Sequence, residues 1–360
     1  MKILFTHDIF SSQRYGGVSR YFHELYKNLE CRPIVFGGIY QNRYFSKDQI
    51  FGIKLDLNGY LYKIARLLND IIQILIILIY RPDVIHYTYY PRFILRITNA
   101  KIVITVYDMN NEIFSSSPFS SYDITIRKKN IFKKADLIIS ISHSTKDDLI
   151  SILSIPSEKI KVIHLASSLI DENSLQQPSA VNSGNKSYIL YVGGRDGYKN
   201  FKSLIDAIKF TDFFDYGVEL ICFGSPPNAN ERFLISKYGF DDNIKFVNGD
   251  DQALIKLYQG ARVLIYPSLY EGFGLPLLEA MGNKCPVFCF YNSSLIEVGG
   301  EAVHFIQNNK TFDLDTYYKD ADYLNKLKAK GLERAKLFSW SRTSFLTEKV
   351  YKELVREKQT

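Results

Sequence analysis

The chain has 360 residues, 46% of them hydrophobic and 23% charged, with a net charge of +7. That length exceeds a single small module and argues for about two domains, while the composition excludes long disordered tracts and fibrous repeats. Residues 1–170 hold 22 Lys/Arg against 14 Asp/Glu and residues 171–360 hold 23 against 24, so the positive excess belongs to the amino-terminal half.

Such asymmetry points to an anionic partner for that half, a membrane surface or a phosphorylated substrate; no nucleic-acid motif accompanies it. MKILFT opens directly on an alternating strand, without the apolar region and cleavage site of a signal peptide. Tyr15-Gly16-Gly17-Val18-Ser19-Arg20 then opens a helix. Adjacent glycines let backbone N–H groups approach an anion, and the positive end of a helix favours phosphate, although loops use such pairs freely.

Strand-like runs then alternate with helix-length segments: PIVFG, a helix near 60–79, DVIHY, KIVITVY, a helix near 121–134, DLIISIS, a helix near 144–153, and KVIHL. The run Ile71 to Tyr80 (IIQILIILIY) is shorter than the roughly 20 residues that span a bilayer and contains Gln73. It reads as a buried helix in a cytoplasmic protein. Arg127, Lys128, Lys129, Lys133 and Lys134 form the densest basic cluster, either a solvated helix face or an anion-binding surface. Residues 171–187 are polar and rich in Pro, Gly, Ser and Asn, the composition of a domain linker. The alternation restarts with SYILYVG, VELICFG, NIKFVNG, RVLIYPS, PVFCF and AVHFI. Two tandem α/β domains with parallel sheets follow, 1–170 and 188–338, with any ligand expected beyond the carboxyl ends of the strands, in a cleft between the domains. Cys31, Cys222, Cys285 and Cys289 are scattered and read as reduced core thiols.

Two later segments carry the chemistry. YVGGRDGYKN at 191–200 places Gly193, Gly194 and Gly197 between a strand and a helix, with Arg195 and Lys199 projecting from the turn. That pattern suits a diphosphate clamp, donors for the oxygens and cations for the charge; a tight turn with two exposed cations is the plain alternative. In the segment from Tyr266 to Met281, a strand runs into Gly272-Phe273-Gly274, Leu275 and Pro276 open a helix, and Glu271 and Glu279 flank the turn. Glu271 can face a ligand at the strand end, and Glu279 can accept hydrogen bonds from a hydroxyl pair. A dinucleotide fingerprint fails here, because its third glycine falls on Leu277.

The run ARVLIYPSLYEGFGLPLLEAMGNKCPV resembles the signature of the retaining, nucleotide-sugar-dependent glycosyltransferases of the fourth sequence family. The early Gly-Gly loop, VYDM at 106–109, ISIS at 139–142, YVGGRDGYKN, SSLIEVGGEAV at 293–303 and the terminal FSW at 338–340 agree in order and spacing. The resemblance implies the GT-B fold, two Rossmann-like doubly wound domains facing an interdomain cleft, with residues 339–360 returning to the first domain. It implies that Gly16, Gly17 and Gly193 meet the donor diphosphate and that Arg195 and Lys199 stabilise it as it leaves. Glu271 with Gly272, Phe273, Gly274 and Leu275 would hold the donor sugar, and Glu279 the ribose. Tyr107-Asp108 stands where the family usually has His-Asp, so Tyr107 would present a phenol in place of an imidazole. Neither metal nor cofactor is expected. Asp313/Asp315 and Asp320/Asp322 lie away from any strand end and read as surface.

The implied activity is transfer of a hexose, mannose or a related deoxyhexose from a GDP-sugar, to a glycan or a glycan on a polyisoprenoid diphosphate. The implied setting is bacterial surface polysaccharide synthesis, with the enzyme in the cytoplasm and its basic domain against the inner face of the membrane, the basic helix around 127–134 and the apolar segment 60–80 being the contact candidates. The alternatives are a UDP- or dTDP-sugar donor with the same fold, or a non-catalytic sugar-nucleotide-binding protein.

Overall fold

The computed structural model of the protein describes residues 1–114, 118–170, 187–195, 197–307, 312, 314 and 318–357, with the backbone alone at 118–124 and 127. Residues 171–186 of the expected linker 171–187, Asp196, Asp313, Asp315 and the Arg127 side chain lie outside the described residues. The chain divides into one unit of Met1–Leu165 with Ser339–Thr360 and a second of Ala166–Phe338.

The first unit is a parallel sheet of β1 (Ile3–Phe5), β2 (Ile34–Tyr40), β3 (Phe51–Lys54), β4 (Val84–Tyr87), β5 (Lys101–Val106), β6 (Leu137–Ser140) and β7 (Ile160–Val162). They lie in the order β3-β2-β1-β4-β5-β6-β7. Its helices are α1 (Asp8–Ser12), α2 (Gly17–Asn28), α3 (Gly59–Tyr80), α4 (Asn110–Ile113), α5 (Pro118–Lys134) and α6 (His143–Leu153). β4 and β6 are buried along their whole length, as the continuous apolar runs VIHY and LIIS require of strands covered on both faces.

The second unit has β8 (Tyr188–Val192), β9 (Glu219–Phe223), β10 (Ile244–Val247), β11 (Val263–Tyr266), β12 (Val287–Phe290) and β13 (His304–Ile306). Their order is β10-β9-β8-β11-β12-β13 and every pairing is parallel. Around them lie α7 (Phe201–Ile208), α8 (Ala229–Lys237), α9 (Asp251–Gly260), α10 (Leu275–Gly282), α11 (Ser293–Gly299) and α12 (Ala321–Ala335). Both units are doubly wound α/β folds, whose chain direction reverses between β1 and β4 and between β8 and β11. Leu169 and Ile170 go with the second unit: the Leu169 carbonyl accepts from Asn283 Nδ2 at 2.6 Å, and Ile170 packs over Gly282. Asp320 caps α12, accepting from the Tyr323 N–H.

The last helix, α13 (Trp340–Arg356), belongs to the first unit. Tyr351 is fully buried with its hydroxyl 2.5 Å from His86 Nδ1 on β4, and Glu348 accepts the Glu30 N–H at 2.9 Å.

α3 departs from the expected buried helix. Ile71, Ile72, Leu75, Leu78 and Ile79 are exposed, and its buried positions are Ala65, Asn69, Asp70, Gln73 and Ile77. The cause is an interior that asks for polar groups. Asn69 accepts the Ile39 N–H and donates to the Ile39 carbonyl and to Ser11 Oγ. β2 is bulged there, and Gly38, at φ 62°, leaves room for Asn69 that a side chain would fill. Asp70 lies 3.2 Å from His7 Nε2.

Candidate functional site

In the second unit the chain reversal opens the sheet beyond the ends of β8 and β11, where a doubly wound fold takes its ligands. The loop after β8 carries Gly193, Gly194 and Gly197, and a Cβ at any of them would meet open space. Gly193 and Gly197 have φ of 122° and 53°, a backbone that other residues adopt only with strain.

Lys199 ends that loop and Glu271 lies on the loop after β11, with Lys199 Nζ 2.6 Å from Glu271 Oε1. Lys199 also donates to the Tyr266 hydroxyl at 3.2 Å. Burial, reinforced by the Glu271 carboxylate, raises the Tyr266 phenol well above its ordinary value, so it stays neutral. Glu271 is fixed through its backbone: its N–H donates to Ser293 Oγ and its carbonyl accepts from Ser294 Oγ, at 2.9 and 2.8 Å. Asn292 donates to the Ser268 carbonyl and steadies the same loop.

Gly274 caps α10 with φ 95°, and a Cβ there would lie 2.7 Å from Leu295 Cδ2. Only glycine fits both the turn and the packing. Phe273 is buried, its ring centroid 5.8 Å from that of Phe338. Leu275 and Pro276 begin the helix, and Glu279, one turn in, accepts from the Tyr258 hydroxyl at 2.9 Å. Burial, then the Glu279 charge, holds Tyr258 well above the usual phenol range.

Arg195 is placed differently from Lys199. Its Nε and Nη2 lie 3.0 and 3.2 Å from the two carboxylate oxygens of Glu231 on α8, and Nη2 also donates to the Pro226 carbonyl. Glu231 in turn forms the capping box of α8 with Asn228. The structure therefore brings Lys199, Glu271 and Tyr266 together and commits Arg195 to Glu231. Glu231, Tyr258, Tyr266, Ser293 and Ser294 join the site only through the fold. The Asn228-x-x-Glu231 spacing is legible as a capping box, but nothing local announces its partner.

In the first unit Gly16 caps α2 and Gly17 begins it, and a Cβ on Gly16 would meet the end of Gln13. Tyr107 follows β5 with its ring edge-on to Tyr21 and its hydroxyl buried without a hydrogen-bond partner among the described residues. Asp108 accepts the Asn110 N–H at 3.1 Å. Beyond the reversal between β1 and β4 lies a pocket of about 240 Å³ lined by Asp8, Tyr62, Arg66, Tyr89, Tyr90 and Lys128, among others. Asp8 is 5% exposed, and its Oδ1 has no hydrogen-bond partner among the described residues. Lys128 is buried, 2.9 Å from Glu112 and over the Tyr90 ring, so this member of the basic cluster faces inward while Lys133 and Lys134 are exposed.

Two doubly wound units, the second with an acid–lysine pair and a glycine-capped helix at its reversal point, have the architecture of the GT-B fold. The family models agree: "Glycosyltransferase Family 4" matches residues 15–166 and "Glycosyl transferases group 1" residues 173–301. The chain belongs to the family 4 glycosyltransferases. It is 27% identical over 293 residues to O-antigen chain mannosyltransferase B of Escherichia coli, covering 73% of each chain. A match of the same identity to the serotype-specific mannosyltransferase WbdA of Escherichia coli covers 70% of this chain but 33% of that longer protein. Among solved structures, sucrose-phosphate synthase of Thermosynechococcus elongatus superposes with a TM-score of 0.78 at 19% identity over 99% of both chains. Anabaena HepE, solved with UDP and glucose, superposes at 0.72 and 18% identity over 97% of this chain and 99% of its own.

Proposed function

We propose that the protein transfers mannose, or a related deoxyhexose, from a GDP-sugar to a glycan during surface polysaccharide synthesis, with retention of anomeric configuration. The observation that carries this reading is the Lys199–Glu271 pair beyond β8 and β11, in a chain whose relatives include two O-antigen mannosyltransferases by name. A leaving nucleoside diphosphate gathers negative charge in the transition state. Lys199, beside a glycine loop over which no side chain stands, would meet that charge without reorganisation, which lowers the barrier. Glu271, oriented through Ser293 and Ser294, would accept hydrogen bonds from the hexose hydroxyls, and Glu279, oriented by Tyr258, from the ribose. Retention follows when the acceptor attacks from the face the diphosphate leaves, with a departing phosphate oxygen taking the acceptor proton. No protein base and no metal enters that scheme.

The acceptor is proposed to bind in the first unit. The Tyr62, Tyr89 and Tyr90 rings offer walls for sugar faces, and Asp8 Oδ1 offers an unsatisfied acceptor for a hydroxyl. A polyisoprenoid diphosphate carrier would meet Arg66 there. A UDP-sugar donor is the second reading, supported by the UDP and glucose in HepE.

Calorimetry of GDP-, UDP- and dTDP-sugars, with and without a divalent ion, tests the donor. Micromolar binding of a GDP-sugar that is lost in Glu279→Ala and Lys199→Ala supports the reading. A UDP-sugar bound in its place selects the second. No binding by any of them to the folded protein would leave a non-catalytic role, and inverted product stereochemistry by NMR would remove the retaining mechanism.

A further inference from the structure

α3 is an amphipathic helix worn inside out. At about 100° per residue, ten exposed apolar side chains between Tyr60 and Ile79 fall within an arc of roughly 140°. Tyr60, Leu61 and Ile79 are 76%, 63% and 83% exposed. Lys63, Arg66 and Asp70, the charged residues of the helix, fall outside that arc. Its opposite face, with Asn69, Asp70 and Gln73, is the one that packs on the sheet. The apolar surface continues onto the edge strand β3, where Phe51 and Ile53 are each 65% exposed. Phe51 lies beside Phe36, whose ring meets His7, the partner of Asp70, so Phe51 shares the face of the sheet that α3 covers. Scattered exposed apolar residues are ordinary, but a contiguous face of this length is a binding surface.

We infer that this face docks on the surface of a bilayer carrying anionic lipid. The stripe is too broad for a two-helix seam, which keeps two apolar positions in seven and charges at its flanks. Lys54, Lys63 and Arg81 stand exposed at the patch and beside the helix ends, and the exposed Asp56 is already paired by Arg14 and Arg43. Two copies would bring like charges together across the contact, whereas anionic headgroups complement them. Among the described residues no helix is long and apolar enough to cross a membrane. The helix therefore lies along the interface, its apolar arc among the acyl chains and its cations at the headgroups. This goes beyond the proposed transfer reaction and does not depend on the donor. It also gives the acceptor pocket a setting, since Tyr62 and Arg66 on α3 line it.

The test is co-sedimentation of the full chain with vesicles of phosphatidylethanolamine containing roughly one-third phosphatidylglycerol, anionic enough to raise a surface potential. The comparison is the triple variant Leu68→Gln, Leu75→Gln, Ile79→Gln. The wild type is expected to pellet, to be released substantially at about 0.5 M salt, and to lose at least about tenfold affinity in the variant. Circular dichroism and nucleotide-sugar binding report that the variant is folded. Absent pelleting, or equal pelleting of the folded variant, overturns the inference. So does a wild-type dimer in light scattering that the variant dissolves without any vesicle affinity, which would assign the face to a second copy. The vesicles carry neither glycan nor nucleotide, so this result is independent of the donor measurement.

Discussion

The Arg195 guanidinium forks onto the Glu231 carboxylate, with both side chains nearly removed from solvent, at 6% and 10% exposure. Removing one partner of such a pair leaves the other charge buried, at a cost of about 3–5 kcal/mol. Arg195→Ala is therefore expected to lower the melting temperature by several degrees, and Glu231→Ala to do the same. The double variant should be less destabilised than the two single losses added together. Thermal denaturation of the four proteins measures the coupling. If Arg195→Ala weakened donor binding strongly while leaving the melting temperature unchanged, the guanidinium would be serving the ligand instead.

Lys199 and Glu271 should behave as one device. Lys199→Met and Glu271→Gln are each expected to reduce transfer by about 10²–10³-fold, and their combination by less than the product of the two effects. Single-turnover rates on the four proteins give the coupling directly. Multiplicative losses would show that the two side chains act separately.

Gly274→Ala places a methyl group 2.7 Å from Leu295 Cδ2 in a residue held at φ 95°. The strain is about 1–3 kcal/mol, and relief requires the first turn of α10 to move. Donor affinity is expected to fall more than stability does. Pairing the substitution with Leu295→Ala removes the clash but not the backbone strain, and should restore only part of the affinity.

His86 is buried between Tyr351 and Thr105, and burial pushes its pKa down to about 3. The unfolded chain takes up a proton near pH 6.5, where the folded protein does not. Its contribution to stability is therefore complete above that pH and declines as the pH falls from about 6.5 toward 3, at up to about 1.4 kcal/mol per pH unit. Urea denaturation between pH 7 and 4 should show this slope, and His86→Gln should flatten it. An unchanged slope in that variant would locate the acid sensitivity elsewhere.

Much of the architecture is legible along the chain because parallel strands covered on both faces must be apolar throughout. ILF, VIHY, LIIS, YILYV and VLIY all occur as strands. The Gly193 and Gly272-Phe273-Gly274 turns are equally legible, since they follow the strands that flank the reversal point. Periodicity shows that α3 has two faces, but not which of them the protein needs inside. That depends on carbonyl and N–H groups left open by the bulge in β2, some 30 residues away. Arg195 shows the same limit. Its residue type suits a diphosphate, yet its partner arrives from α8, 36 residues further on.

α13 also sets an order of events during synthesis. His86 waits for Tyr351, 265 residues later, and every residue of the second unit must be made in between. At about 5–20 residues per second, the β4 surface is without its cover for on the order of ten to fifty seconds. The first unit is thus completed after the second, and a ribosome that stalled in the second unit would leave His86 without the Tyr351 contact it has in the finished fold.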